Sequence, residues 1–122
     1  MGAPVVRSEV GATDADAAGC FYSALSGWSV NLDRTGYGVV DTGGNAGIQG
    51  GMVQTPEGVP PWVTFYVRVD DLEVVLGRAD KLGAHRLTGP MPVGDVGETA
   101  MFADPDGNMP AGWAEGSRNR QR

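Results

Sequence analysis

Two side chains of opposite charge, Arg7 and Glu9, stand two positions apart in a short apolar stretch running from Val5 to Val10. Strand alternation puts them on one face. An arginine in such a setting can grip a carboxylate, phenolate or phosphate through its planar fork. A glutamate beside it can hold an amine or, partly desolvated, act as a base. A second stretch, Trp62 to Val69, is rich in aromatic and β-branched residues and reads as the clearest strand of the chain. Trp62, Thr64, Tyr66 and Arg68 share one of its faces, and Val63, Phe65, Val67 and Val69 share the other, which is wholly apolar and suited to packing against helices. Near the end of the chain Met109, Ala111 and Trp113 also share a face. Flat rings can stack a planar or cationic ligand.

The elements that must position these residues come twice. Asp41-Thr42-Gly43-Gly44-Asn45 returns sixty-three positions later as Asp104-Pro105-Asp106-Gly107-Asn108. The stretch from Asp14 to Gly27 returns as Asp70 to Gly83, each with an acidic start and a glycine stop. In the first copy a strand over Val5–Val10 leads to a helix over Ala15–Leu25, with Ala18, Phe21, Tyr22 and Leu25 at helical spacing. Strands follow over Trp28–Leu32, Tyr37–Asp41 and Ala46–Val53. A proline-containing connector, Gln54–Pro61, leads to the second copy. There the Trp62–Val69 strand precedes a helix to Leu82, with Leu72, Val75, Leu76 and Ala79 on one face. Short strands over Ala84–Leu87, near Val93, over Thr99–Ala103 and over Met109–Trp113 complete it. The two Asp-Gly-containing segments read as turns. The expected class is α+β: two tandem βαβββ units, about residues 5–53 and 62–113, inside one domain over 1–114, with a flexible tail over 115–122.

With 122 residues the chain suits one compact core. Its net charge of −6 argues against nucleic acid or an anionic membrane surface as a partner. No apolar run approaches the length of a membrane span. No signal peptide is visible at the N-terminus. The single cysteine, Cys20, excludes an internal disulfide, so a cytoplasmic location is expected. Cys20 lies in the first helix without a base nearby in sequence and reads as a small packed residue. The only histidine, His85, falls just past the second helix and is expected at the surface. Phe21 and Trp28 read as core. No glycine run has a phosphate-loop pattern.

The order of elements, with Phe21-Tyr22-Ser23-Ala24-Leu25 ending at Gly27-Trp28, Tyr66-Val67-Arg68-Val69-Asp70-Asp71-Leu72, Leu82-Gly83-Ala84 and Phe102-Ala103-Asp104-Pro105-Asp106-Gly107-Asn108, resembles the vicinal oxygen chelate superfamily, the glyoxalase, bleomycin-resistance and extradiol-dioxygenase group. The resemblance runs from about Val5 to Trp113. It implies a homodimer, a curved sheet forming an open barrel with helices on its outer face, and in the enzymes of the group one divalent metal held by His, Glu or Gln from four strands. The matching positions here read Arg7, Ile48, Thr64 and Ala111, with Gln49 the neighbour that can replace Ile48. A divalent ion wants imidazole nitrogen or carboxylate oxygen, and a guanidinium carries its own positive charge. A metal site and a cofactor are therefore not expected, although a slipped register would bring Glu9 and Gln49 together as a weak one.

If Arg7 faces the barrel, the resemblance makes Arg7, Glu9, Trp62, Thr64, Tyr66, Arg68 and Trp113 the expected ligand-binding residues. Structural accounts stand beside this. Arg7, Glu9 and Arg68 can simply pair, because buried charges need partners whatever the function. Trp62, after Pro60-Pro61, can plug the barrel mouth or a dimer seam. The leading expectation is a metal-free small-molecule-binding protein like those of the bleomycin-resistance branch, sequestering a toxic aromatic or cationic compound. The alternative is a metal-independent lyase, isomerase or cyclase with Glu9 as base. A metal-dependent glyoxalase or dioxygenase comes third.

Overall fold

The structure is a computed structural model that describes residues 2–93 and 97–115. Two compact units are present. Residues 6–64 form one, here the N-terminal unit, and the described residues from Phe65 onward, with 2–5, form the C-terminal unit. Each has the same plan. A strand is followed by a helix and three further strands, and the first and last strands of the unit lie side by side and parallel. The class is α+β, as the duplicated sequence implies.

In the N-terminal unit, β1 (Val5–Ala12) leads into α1 (Ala15–Ser26). Asp14 caps this helix by accepting from the Ala17 N–H at 3.1 Å. Gly27 ends it in the left-handed region, φ 72°, with its N–H bonded to the Ser23 carbonyl. The remaining strands, β2 (Ser29–Leu32), β3 (Tyr37–Asp41) and β4 (Gln49–Gln54), form an antiparallel run, and β4 returns beside β1. The register pairs Val10 with Met52 and Met52 with Gly38. That face carries the buried Met52 and Val40, and α1 lies over it: the Ala15 N–H donates to the Gln54 side chain, and Gly19 approaches Val30.

Three expectations for this unit are corrected. The buried stripe of α1 is Ala15 with the half-buried Ala18, Gly19 and Tyr22, not the stripe through Phe21 and Leu25. Small residues at 15 and 19 let the helix settle close to the sheet. This rolls Phe21 and Leu25 outward, and they stand 58% and 67% exposed. Phe21 is therefore not core. It meets the Tyr22 ring edge-on, and Tyr22 in turn stacks on Trp28 with centroids 5.2 Å apart. Cys20, on the outward side of the same turn, is exposed rather than packed. Finally, β4 starts at Gln49 and not at residue 46, because the glycine-bearing segment ahead of it is a series of bends.

In the C-terminal unit, β5 (Trp62–Arg68, its first residues counted with the N-terminal unit) leads to α2 (Leu72–Lys81). Asp71 caps α2 by accepting from the Glu73 and Val74 N–H groups. Then follow β6 (His85–Val93), β7 (Gly97–Ala103) and β8 (Ala111–Glu115). Leu72, Leu76, Ala100 and Ala114 make the core, with Val69 and Phe102 packed against it. The expected fragments at 84–87 and 93 are one bulged strand. The last strand begins after Pro110, whose carbonyl accepts from the Phe102 N–H, and it runs through Glu115, which pairs with Gly97. Beyond Glu115, the tail expected over 115–122 falls outside the described residues. Among the described residues no helix is long and apolar enough to cross a membrane.

The two faces of β5 do not divide as the alternation suggests. Thr64 is buried, but Val63 is 75% exposed and Phe65 45% exposed. The reason for Val63 is the placement of α1 over β2 and β4. A groove of about 520 Å³ remains between Ala17, Ala18 and Tyr22 of α1 and the Pro61–Val63 segment.

Candidate functional site on the N-terminal unit

The face of the N-terminal unit turned away from α1 is where its charged and aromatic residues gather. Parallel pairing sets Arg7 beside Gln49 and Glu9 beside Gly51, and antiparallel pairing brings Val39 to Gly51 and Tyr37 to Val53. Arg7, Glu9, Gly11, Tyr37, Gln49 and Gly51 therefore share one face.

Two contacts organise it. The Arg7 guanidinium donates to the Tyr37 hydroxyl, and its carbon stands 5.8 Å from the centre of the same ring. The Trp62 indole donates from Nε1 to Glu9 Oε2 at 3.1 Å. Glu9 is only 6% exposed, so a donor aimed at its carboxylate offsets part of the cost of burying it. Both contacts depend on missing side chains. A Cβ at Gly11 would stand 2.5 Å from Cδ2 of the Trp62 indole, and one at Gly51 would stand 2.5 Å from the Tyr37 hydroxyl and 2.9 Å from Arg7 Nη2. Glycine inside a strand commonly marks such a close approach.

Tyr37 is set in place from its own turn. Asp33 accepts from the Thr35 N–H and hydroxyl and from the Tyr37 N–H, and Gly36 completes the turn at φ 84°. The Thr35 hydroxyl first, then the two backbone N–H groups, hold the Asp33 carboxyl below its usual range. Burial raises the Tyr37 phenol above its ordinary value. Arg7 opposes that rise, and Glu9 and Asp33 add to it. Tyr37 was not among the residues expected from sequence. The signal available was the Asp33-Arg34-Thr35-Gly36 turn directly before an aromatic residue, but only the strand register shows which neighbours that residue meets.

The other expected residues fall as follows. Thr64 is buried in the N-terminal unit. Tyr66, Arg68 and Trp113 belong to the C-terminal unit, where Tyr66 pairs with Ala111 and Arg68 with Trp113 across β5 and β8. Arg68 is exposed, and its backbone N–H donates to Pro4 at 3.0 Å. The Trp113 indole lies against Gly97, where a Cβ would come within 3.1 Å of it. His85 is exposed at the start of β6, as expected.

The donor set does not fit a divalent metal. Ile48, 52% exposed, precedes β4, and it is Gln49 that stands beside Arg7, so Ile48 is withdrawn as the fourth position. Gly51 offers no side chain, Ala111 is a buried methyl group and Arg7 is a cation. Among the described residues no group of three or more His, Cys, Asp or Glu side chains could hold an ion.

Residues 6–109 match the family described as "Glyoxalase-like domain". The chain belongs to that family. Among relatives of this glyoxalase-like chain, the anthracycline biosynthesis protein DnrV of Streptomyces peucetius is 28% identical over 125 residues, covering 88% of this chain and 46% of that protein. The glyoxalase-like chain thus spans about half the length of the curated relatives it matches. In structure it is similar to a glyoxalase/bleomycin resistance protein/dioxygenase superfamily member from Vibrio splendidus, with TM-score 0.61 at 17% identity over 93% of this chain and 100% of that one. It is also similar to methylmalonyl-CoA epimerase from Mycobacterium tuberculosis, with TM-score 0.59 at 14% identity over 97% and 91%. These likenesses show the vicinal oxygen chelate fold.

Proposed function

We propose that this protein binds a small planar molecule without the help of a metal ion, as a cytoplasmic homodimer that sequesters a toxic aromatic or cationic compound. The observation that carries the reading is the charged and aromatic face of the N-terminal unit, where Arg7 meets Tyr37 and Trp62 meets Glu9. Such a face offers ring stacking and directed polar contacts. Among the described residues no three His, Cys, Asp or Glu side chains gather to hold an ion. The anthracycline biosynthesis role named for DnrV supports an aromatic ligand.

A second reading has one observation in its favour. A carboxylate as buried as Glu9 is suited to general-base work in a metal-independent lyase, isomerase or cyclase. A metal-dependent glyoxalase or dioxygenase is disfavoured by the donor set.

Native mass spectrometry of the freshly purified protein tests these together. A metal-free dimer that retains or takes up an aromatic compound supports the binding reading. One divalent ion per chain, lost with activity on chelation, overturns it.

A further inference from the structure

The geometry points to a two-donor clamp, Tyr37 with Arg7, that receives an anionic oxygen, so the molecule held on this face is a planar aromatic carrying a carboxylate or phenolate. This rests on the binding reading above and narrows it to one ligand class.

The argument begins with the hydroxyl of Tyr37. It accepts a hydrogen bond from Arg7, and a guanidinium has no lone pair to accept one in return. The phenolic proton is therefore directed to some other oxygen. Burial keeps that proton in place throughout the neutral range. Arg7 brings a fork of fixed geometry and a permanent charge. Gly51 leaves the two room to stand side by side, since any side chain there would occupy the space of both polar atoms. Asp33 fixes the backbone at Tyr37 from the other side. Tyr37 also contributes a half-buried ring rather than a flexible chain, so little freedom is lost when a ligand docks.

The opposite end of the face sets the ligand's shape and direction. Trp62 lies over Gly11, four residues along β1 from Arg7. The clamp's polar atoms meet over Gly51, which pairs with Glu9, two residues from Gly11, so at about 3.3 Å per residue the indole lies roughly 7 Å along the strand from the clamp, a span that suits a small ring system. Glu9 accepts from the indole at the Trp62 end, and its charge disfavours an anionic group there. The anionic oxygen is thus confined to the Arg7 end, with the ring system directed toward Trp62.

The test uses three probes on one ring system: 2-naphthoate, 2-naphthamide and 2-naphthylmethylammonium, titrated by calorimetry into the full chain and into Tyr37→Phe. The clamp predicts that the wild type prefers the carboxylate over the amide by about tenfold, the size expected for a hydrogen bond to a charged group, and that Tyr37→Phe loses most of that preference. Equal binding of carboxylate and amide by the wild type overturns the clamp without recourse to a variant, and so does a preference for the ammonium. Both outcomes leave the binding reading standing. An unchanged preference in a folded Tyr37→Phe also overturns the clamp alone. Binding of none of the three overturns the clamp and the binding reading together.

Discussion

Trp62 Nε1 donates to Glu9 Oε2 at 3.1 Å, joining the residue that opens β5 to one in the middle of β1. The bond answers two needs at once, since a buried carboxylate needs donors and a part-buried indole N–H needs an acceptor. Trp62→Phe keeps most of the ring and deletes the donor. The expected loss is about 1–3 kcal/mol of stability, read as a lower urea midpoint at unchanged slope. A loss no larger than a surface substitution gives would mean that the contact contributes little.

The glycine beneath that indole should be more sensitive than the glycine beneath Arg7. A methyl group at position 11 meets the rigid indole, whereas one at 51 meets a hydroxyl and the far end of an arginine that can swing aside. Gly11→Ala should cost about 1–3 kcal/mol, the range for overpacking, and Gly51→Ala less. Affinity for an anionic aromatic should follow the opposite order if Arg7 and Tyr37 bind it. Chemical denaturation and calorimetric titration of both variants check the two rankings.

Leu76 and Leu25 each stand at helical spacing in their own helix but differ in packing. Leu76 is 1% exposed in the core of the C-terminal unit, and Leu25 is 67% exposed. Leu76→Ala should lose about 2–5 kcal/mol. Leu25→Ala should stay within about 0.5 kcal/mol of the parent. Equal losses would place Leu25 in an interface, and a sedimentation measurement would then show it.

The repeated motifs made the unit plan legible, because Asp caps, glycine stops and Asp-Gly turns act locally. Asp14, Gly27, Asp71 and Asp104 all serve as their types imply. The roll of α1 was less legible. Phe21 and Leu25 repeat at helical spacing as well as Ala15, Ala18, Gly19 and Tyr22 do, and closeness of approach selected the smaller residues. In the site, strand alternation placed Arg7 and Glu9 on one face. Tyr37 and Gln49 came to that face only through the β3–β4–β1 register, which depends on where each strand starts. The sixty-three-residue offset of the repeats, carried back from Ala111, favoured Ile48, whereas the register sets Gln49 beside Arg7.

Acidification should weaken the turns. Asp104 accepts from the Asn108 side chain and from the N–H groups of Asp106 and Asn108, and these bonds, the Asn108 side chain foremost, hold its carboxyl below the ordinary 3.8. The folded chain thus binds this proton less readily than the unfolded one. The resulting stabilisation is complete above the unfolded value and is lost as pH falls through the folded one. Asp33 behaves alike. Unfolding midpoints between about pH 5 and pH 2 should therefore fall less steeply for Asp104→Ala than for the parent. Parallel curves would show that this turn does not contribute.

Glu9→Gln separates binding from turnover. The glutamine oxygen can still accept from Trp62 Nε1, so the indole should stay where it is. The weaker, uncharged acceptor should cost about 1 kcal/mol of stability. A protein that only sequesters its ligand should then bind an uncharged aromatic within a few-fold of the parent affinity. It should bind an anionic one somewhat better, because a negative charge has left the face. A metal-independent enzyme using Glu9 as base should keep its affinity and lose turnover by about 100-fold or more. Unaltered turnover would remove Glu9 from the chemistry. A collapse of both affinity and stability would mean that the charge of Glu9, through its other partners on this face, is what holds the Arg7 end in place.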